Sequence, residues 1–190
     1  MNKNKKNKGL TFLETIACVA IIFIVSSFLF YKILKYNEKM DLEKSRRIIQ
    51  TFFIKYTMRS LYEKSKYQIE IDMLNKNLNV KKLNSEIIEK LYLPEKLKYE
   101  IIYDNSRNQK FKVDTTKSGN LSKAFTIYVF GYNNQVENRV AFYTFQKEKV
   151  LKINIYLNRA VKDINYDNIL NYHYSQEGQN RIGWMEEQWI

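Results

Sequence analysis

Hydrophobic and polar positions divide the chain into distinct stretches. Between Leu10 and Tyr31 no polar face is visible: every residue from Ile16 to Val25 is apolar, and Glu14 is the only charge. As a helix rising about 1.5 Å per residue, this stretch would be about 33 Å long. That length matches a hydrocarbon core of about 30 Å, so the pattern predicts a membrane-spanning helix over 10–31. From Lys32 onward Lys, Glu, Leu and Arg dominate, and Leu42, Ser45, Ile49, Phe52 and Tyr56 recur at alternating spacings of three and four. Such spacing marks one buried helical face and predicts an amphipathic continuation over 32–65. Neither Pro nor Gly occurs between Gly9 and Pro94. One helix of roughly 80 Å, from Leu10 to about Ser65, follows from the standard rise.

After that helix the pattern turns strand-like. Runs rich in Val, Ile, Tyr and Phe lie at Tyr67–Asp72, Tyr99–Asp104, Gln109–Val113, Phe125–Phe130, Val140–Phe145 and Val150–Leu157. The loop Asn133-Asn134-Gln135 and a turn near Lys147-Glu148-Lys149 suit antiparallel neighbours. Asn84–Leu91 reads as a short helix ended by Pro94. A helix followed by successive strands predicts an α+β fold. The long helix lies across an antiparallel sheet, and residues 66–190 form a globular, β-rich head.

Composition restrains the chemistry. Lys and Arg outnumber Asp and Glu by 32 to 20, a formal charge of +12. Lys3, Lys5, Lys6 and Lys8 precede Gly9, and without those four the charge falls to +8. The other lysines are interspersed with glutamates, and no basic stripe with interleaved aromatics stands out, so nucleic acid is a weak partner class. The only cysteine, Cys18, lies in the apolar run, which leaves no intrachain disulfide. His173, the only histidine, has no visible second ligand and reads as structural. No metal or cofactor is expected, and no acidic loop has the ligand density for calcium. Trp184 and Trp189 read as packing on the protein's own sheet rather than as anchors for a partner. Without a phosphate loop, a nucleophile elbow or paired cysteines, no enzyme is predicted.

The junction between the basic stub and the apolar run is the most specific feature. A secretory signal would carry an apolar region of about 7–15 residues and a small-x-small cleavage site. Here the apolar residues continue past Ala17 and Ala20, and past Ser26 and Ser27. A lipoprotein signal needs its apolar stretch before the cysteine, yet most of it follows Cys18. A plain signal anchor accounts for the hydrophobicity and the basic flank but gives no reason for Gly9 and Glu14. The stretch Gly9-Leu10-Thr11-Phe12-Leu13-Glu14, behind a basic leader and ahead of an apolar run, resembles the processing site of type IV prepilins and pseudopilins. The resemblance implies a pilin-like fold, cleavage by a prepilin peptidase between Gly9 and Leu10 with loss of the leader 1–9, and N-methylation of Leu10. Leu10 stands where Phe or Met is more usual. Glu14 becomes the fifth residue of the mature chain, as the family pattern requires. Tyr31 stands where major pilins commonly carry proline, which favours a minor pilin or minor pseudopilin.

The charge on Glu14 fits this resemblance. A carboxylate deep in a bilayer costs about 2.5–3.5 kcal/mol on insertion scales. Glu14 would lie only about 6 Å into the mature helix, where the helix dipole offsets part of the cost. The resemblance implies that Glu14 neutralises the terminal amine of a neighbouring subunit, so that charge matching sets register during assembly. The leader lysines place the N-terminus in the cytoplasm and the head outside. The implied partners are the prepilin peptidase, other pilins or pseudopilins, the membrane and, indirectly, the inner-membrane platform and assembly ATPase. The expected function is a structural subunit of a type IV pilus or a type II secretion-like pseudopilus. The alternatives are a competence pilus component that contributes to DNA binding and uptake, and a signal-anchored membrane protein of unrelated role.

Overall fold

The computed structural model describes residues 12–82, 86–144 and 151–187. The chain divides into two units, Met1–Lys39 and Met40–Ile190, and helix α1 (Phe12–Glu63) contributes to both. In the first unit every described residue from Phe12 to Asn37 is exposed. A helix that is apolar all round has no single face to lay on a core.

In the second unit α1 becomes one-sided. Ser45, Ile49, Phe52, Phe53, Tyr56, Thr57 and Ser60 are buried, and Leu42 packs half-buried against the same core. The expected stripe is therefore present, and it is wider by Phe53, Thr57 and Ser60. The ring of Phe53 sits 4.5 Å from that of Phe142 and 5.8 Å from that of Phe125. Phe125 and Phe142 stack on each other at 4.4 Å. The helix ends at Glu63 because Lys64 takes a left-handed conformation (φ 52), a common helix stop. Ser60 Oγ lies 2.6 Å from the carbonyl of Ser65 and 2.7 Å from that of Thr116, which ties this end to the head.

The head holds two antiparallel sheets. The first has the order β3-β2-β1-β6, built from β1 (Tyr67–Asp72), β2 (Asn77–Lys82), β3 (Ile87–Tyr92) and β6 (Lys110–Asp114). The second has the order β10-β9-β8-β7-β4-β5. Its members are β4 (Lys98–Tyr103), β5 (Ser106–Asn108), β7 (Phe125–Phe130), β8 (Val136–Tyr143), β9 (Lys152–Asn158) and β10 (Trp184–Glu186). Asp104 and Asn105 both have positive φ, 48° and 56°, between β4 and β5. That is the two-residue hairpin geometry whose twist suits antiparallel strands. Asn134, at φ 65°, turns the chain between β7 and β8 in the expected loop.

The run Phe125–Phe130 is apolar without alternation because all six residues of β7 are buried. Phe125, Ile127 and Val129 belong to the core under α1. Tyr128 and Phe130 face the opposite side, with Ile102, Val136, Ile169 and Tyr172. Helices α2 (Ile169–Tyr174) and α3 (Gln176–Asn180) belong to the segment that covers this second face.

Some expectations need correction. Asn84–Leu91 is not a helix: Ile87–Tyr92 is strand β3, while Asn84 and Ser85 lie outside the described residues. Pairing overrides the helical appearance, since Leu91 sits opposite Leu78 of β2 and Glu89 accepts a hydrogen bond from Lys55 at 2.7 Å. β2 itself was hidden in a polar run, Asn77–Lys82. β8 starts at Val136, four residues before the expected run, and the run Gln109–Val113 is split between the β5–β6 link and β6. The turn expected near Lys147-Glu148-Lys149 lies outside the described residues.

Candidate functional site: the exposed apolar helix

The site suggested by the sequence begins with Gly9 and Leu10, which lie outside the described residues. Glu14 is the acidic residue in the first turn of α1 and is exposed. Around and beyond it run large apolar side chains: Phe12 is 83% exposed, Phe23 75% and Phe28 67%. Within the described residues α1 is the one helix long and apolar enough to cross a membrane, and none of its most apolar window is buried in the protein. A helix meets the demand of a lipid environment because each backbone N–H and C=O in its interior is bonded within the same segment. The side chains follow suit where they are polar: Ser27 Oγ donates to the carbonyl of Phe23 at 2.8 Å, a back-bond that shields the hydroxyl.

Lipid and a bundle of similar helices are both apolar surroundings that such a surface fits. The lysines at the far end, Lys32 and Lys35, are exposed and long enough to carry their charge to an interface. Lys35 also holds Glu38 at 3.1 Å, one helical turn away.

Several polar residues of the head hold it together. Tyr128 Oη lies 2.9 Å from His173 Nδ1, and burial, reinforced by nearby Arg139, pushes His173 down to about 4. Burial also raises Tyr128 above the usual tyrosine range. Arg139 is itself buried, donates to the carbonyl of Gly178 at 2.8 Å and lies 5.8 Å from the ring centroids of Tyr128 and Tyr156. Trp184 donates from Nε1 to Tyr172 Oη at 2.7 Å. It packs on the protein's own second face, while Trp189 lies outside the described residues. Among the described residues no group of His, Cys, Asp or Glu side chains could hold a metal ion.

Sequence reasoning missed one buried ion pair. Glu100, on β4, is enclosed and accepts from Arg107 of β5 through Nε at 2.9 Å and Nη2 at 2.6 Å. The signal was present as a glutamate inside the strand run Tyr99-Glu100-Ile101-Ile102, facing the side opposite Tyr99 and Ile101.

No protein-family model matches this chain, and no curated protein matches it. Two solved structures of the minor pseudopilin EpsH from the type 2 secretion system of Vibrio cholerae are similar to it. One is 16% identical with a TM-score of 0.41 and covers 57% of this chain and 94% of its own. The other is 15% identical with a TM-score of 0.44 and covers 58% of this chain and 93% of its own.

Proposed function

We propose that this chain is a structural subunit, a minor pilin or minor pseudopilin, that assembles into a type IV pilus or a type II secretion-like pseudopilus. A prepilin peptidase cuts between Gly9 and Leu10, Leu10 is methylated, and the mature helix waits in the cytoplasmic membrane with the head outside. Extraction by the platform and assembly ATPase then transfers the apolar helix from lipid into a bundle of like helices. The observation that carries this reading is the joining of Gly9-Leu10-Thr11-Phe12-Leu13-Glu14 to an apolar helix exposed on every side. The same helix serves in lipid and in a filament because both surroundings are apolar, and only Glu14 distinguishes them. In lipid it lies near the headgroups, whereas in a filament its carboxylate meets the amine that cleavage creates. The role is structural rather than enzymatic.

Co-expression with a prepilin peptidase tests this reading. The chain should shift to a faster-migrating form, and Gly9→Val should block the shift because a branched side chain obstructs the cut. An unshifted wild-type chain would favour a signal-anchored protein of unrelated role.

A further inference from the structure

On the head a recess of about 250 Å³ opens between the β1–β2 turn, the start of β4 and the C-terminal segment. Its walls are mainly apolar, from Met73, Leu74 and the rings of Tyr99 and Tyr166. Met73 and Tyr99 are buried, whereas Leu74 is 59% exposed at the mouth. One wall is fixed in place: Gln109 Nε2 donates to Tyr166 Oη at 2.9 Å, and Arg107 stacks 4.3 Å from the Tyr166 ring centroid.

The rim is basic. Lys76 and Lys98 both line the recess. Each donates to a neutral oxygen, Lys76 to the carbonyl of Glu95 and Lys98 to the side-chain amide of Asn134 at 3.1 Å. Neither forms a salt bridge among the described residues. The nearby carboxylate, Glu100, is already neutralised by Arg107. Lys98 also lies 5.7 Å from the Tyr166 ring centroid. An apolar slot with two ammonium groups at its mouth, neither in a salt bridge, is complementary to a flat apolar body that ends in an anion. Its volume lies below the range of about 300–1,000 Å³ usual for drug-sized ligands, and so suits a group the size of one aromatic residue.

We infer that this recess binds a small aromatic carboxylate, with the ring between Tyr166 and Met73 and the carboxylate held by Lys76 and Lys98. This inference does not depend on the filament reading.

The full chain in lipid nanodiscs, with its methionine methyl groups labelled with carbon-13, provides a local readout, because Met73 lines the recess while Met40, Met58 and Met185 do not. Titration with N-acetylphenylalanine should shift the Met73 methyl signal saturably and leave the signals of Met40, Met58 and Met185 unmoved. Exposed charge pairs are individually weak, so N-acetylphenylalaninamide, which lacks the charge, should bind about fivefold less tightly. Lys76→Ala/Lys98→Ala should reduce binding of the acid to the level of the amide. Leu74→Glu, a change at an exposed site, should abolish binding of the acid while the methyl spectrum stays folded. A Met73 signal that does not move, or equal shifts from acid and amide in the wild-type chain, would overturn the proposal.

Discussion

At the scale of single residues, two side chains carry opposite kinds of charge logic. Glu14 is exposed on an apolar helix, and the proposed role gives it an amine to neutralise in the filament. Glu14→Gln should be cleaved at the wild-type rate yet enter filaments about tenfold less or worse, because a buried charge left without its partner costs about 3–5 kcal/mol. Immunoblots of sheared filaments against whole cells measure this ratio, and normal entry would remove the role. His173 shows the reverse case, a group held neutral. It is pushed down to about 4, below the ordinary histidine value of 6.5. The unfolded chain takes up a proton as pH falls through about 6.5 that the folded chain refuses until about 4. Its contribution is therefore complete above about pH 6.5 and is lost as pH drops toward 4. Urea unfolding at pH 7 and pH 4.5 should show about 2 kcal/mol more loss for wild type than for His173→Asn, after allowing for partial solvent screening.

At the scale of elements, α1 changes its neighbours while keeping its conformation. Phe53 is wholly buried against the stacked pair Phe125 and Phe142, so Phe53→Ala should destabilise the head by about 3–5 kcal/mol. Ile24→Ala, in the exposed apolar part, should change the unfolding free energy of the head by no more than about 0.5 kcal/mol. The pair Glu100–Arg107 links two strands. Arg107→Met strands an enclosed carboxylate and should cost about 2–4 kcal/mol, and adding Glu100→Gln should recover at least half of that loss. Periodicity made α1, β1, β4 and β7 legible, because their apolar residues lie at the spacing of a helix or form compact strand runs. It missed β2 and misread β3. Asn77-Leu78-Asn79-Val80 alternates correctly, but its polar residues outnumber the signal. Glu89, within the expected helix Asn84–Leu91, has its charge held by Lys55 on another element. The α2–α3–β10 segment is short and polar, and it is held by contacts distant in sequence: packing on Tyr128 and Phe130, the pairing of β10 with β9 and the bond from Arg139 to the Gly178 carbonyl.

At the scale of the whole molecule, the exposed apolar helix was more legible than the fold of the head. A basic stub, Gly9, Glu14 and an apolar span are linear features, and a linear chain displays them directly; the leader and the cut between Gly9 and Leu10 are what the proposal reads into them. The two-sheet topology, the buried Glu100 and the recess beside Tyr166 depend on residues far apart in sequence, which no local pattern reports. Net charge behaves similarly: the excess of lysine is real, but several lysines are already engaged, such as Lys81 and Lys112 on Glu70. On the proposed reading the working protein begins at Leu10. Mass spectrometry of the chain purified from cells that contain a prepilin peptidase tests it most directly. The expected result is loss of residues 1–9 and an N-terminal peptide that starts at Leu10 with one added methyl group. An intact N-terminus at Met1 in those cells would contradict it.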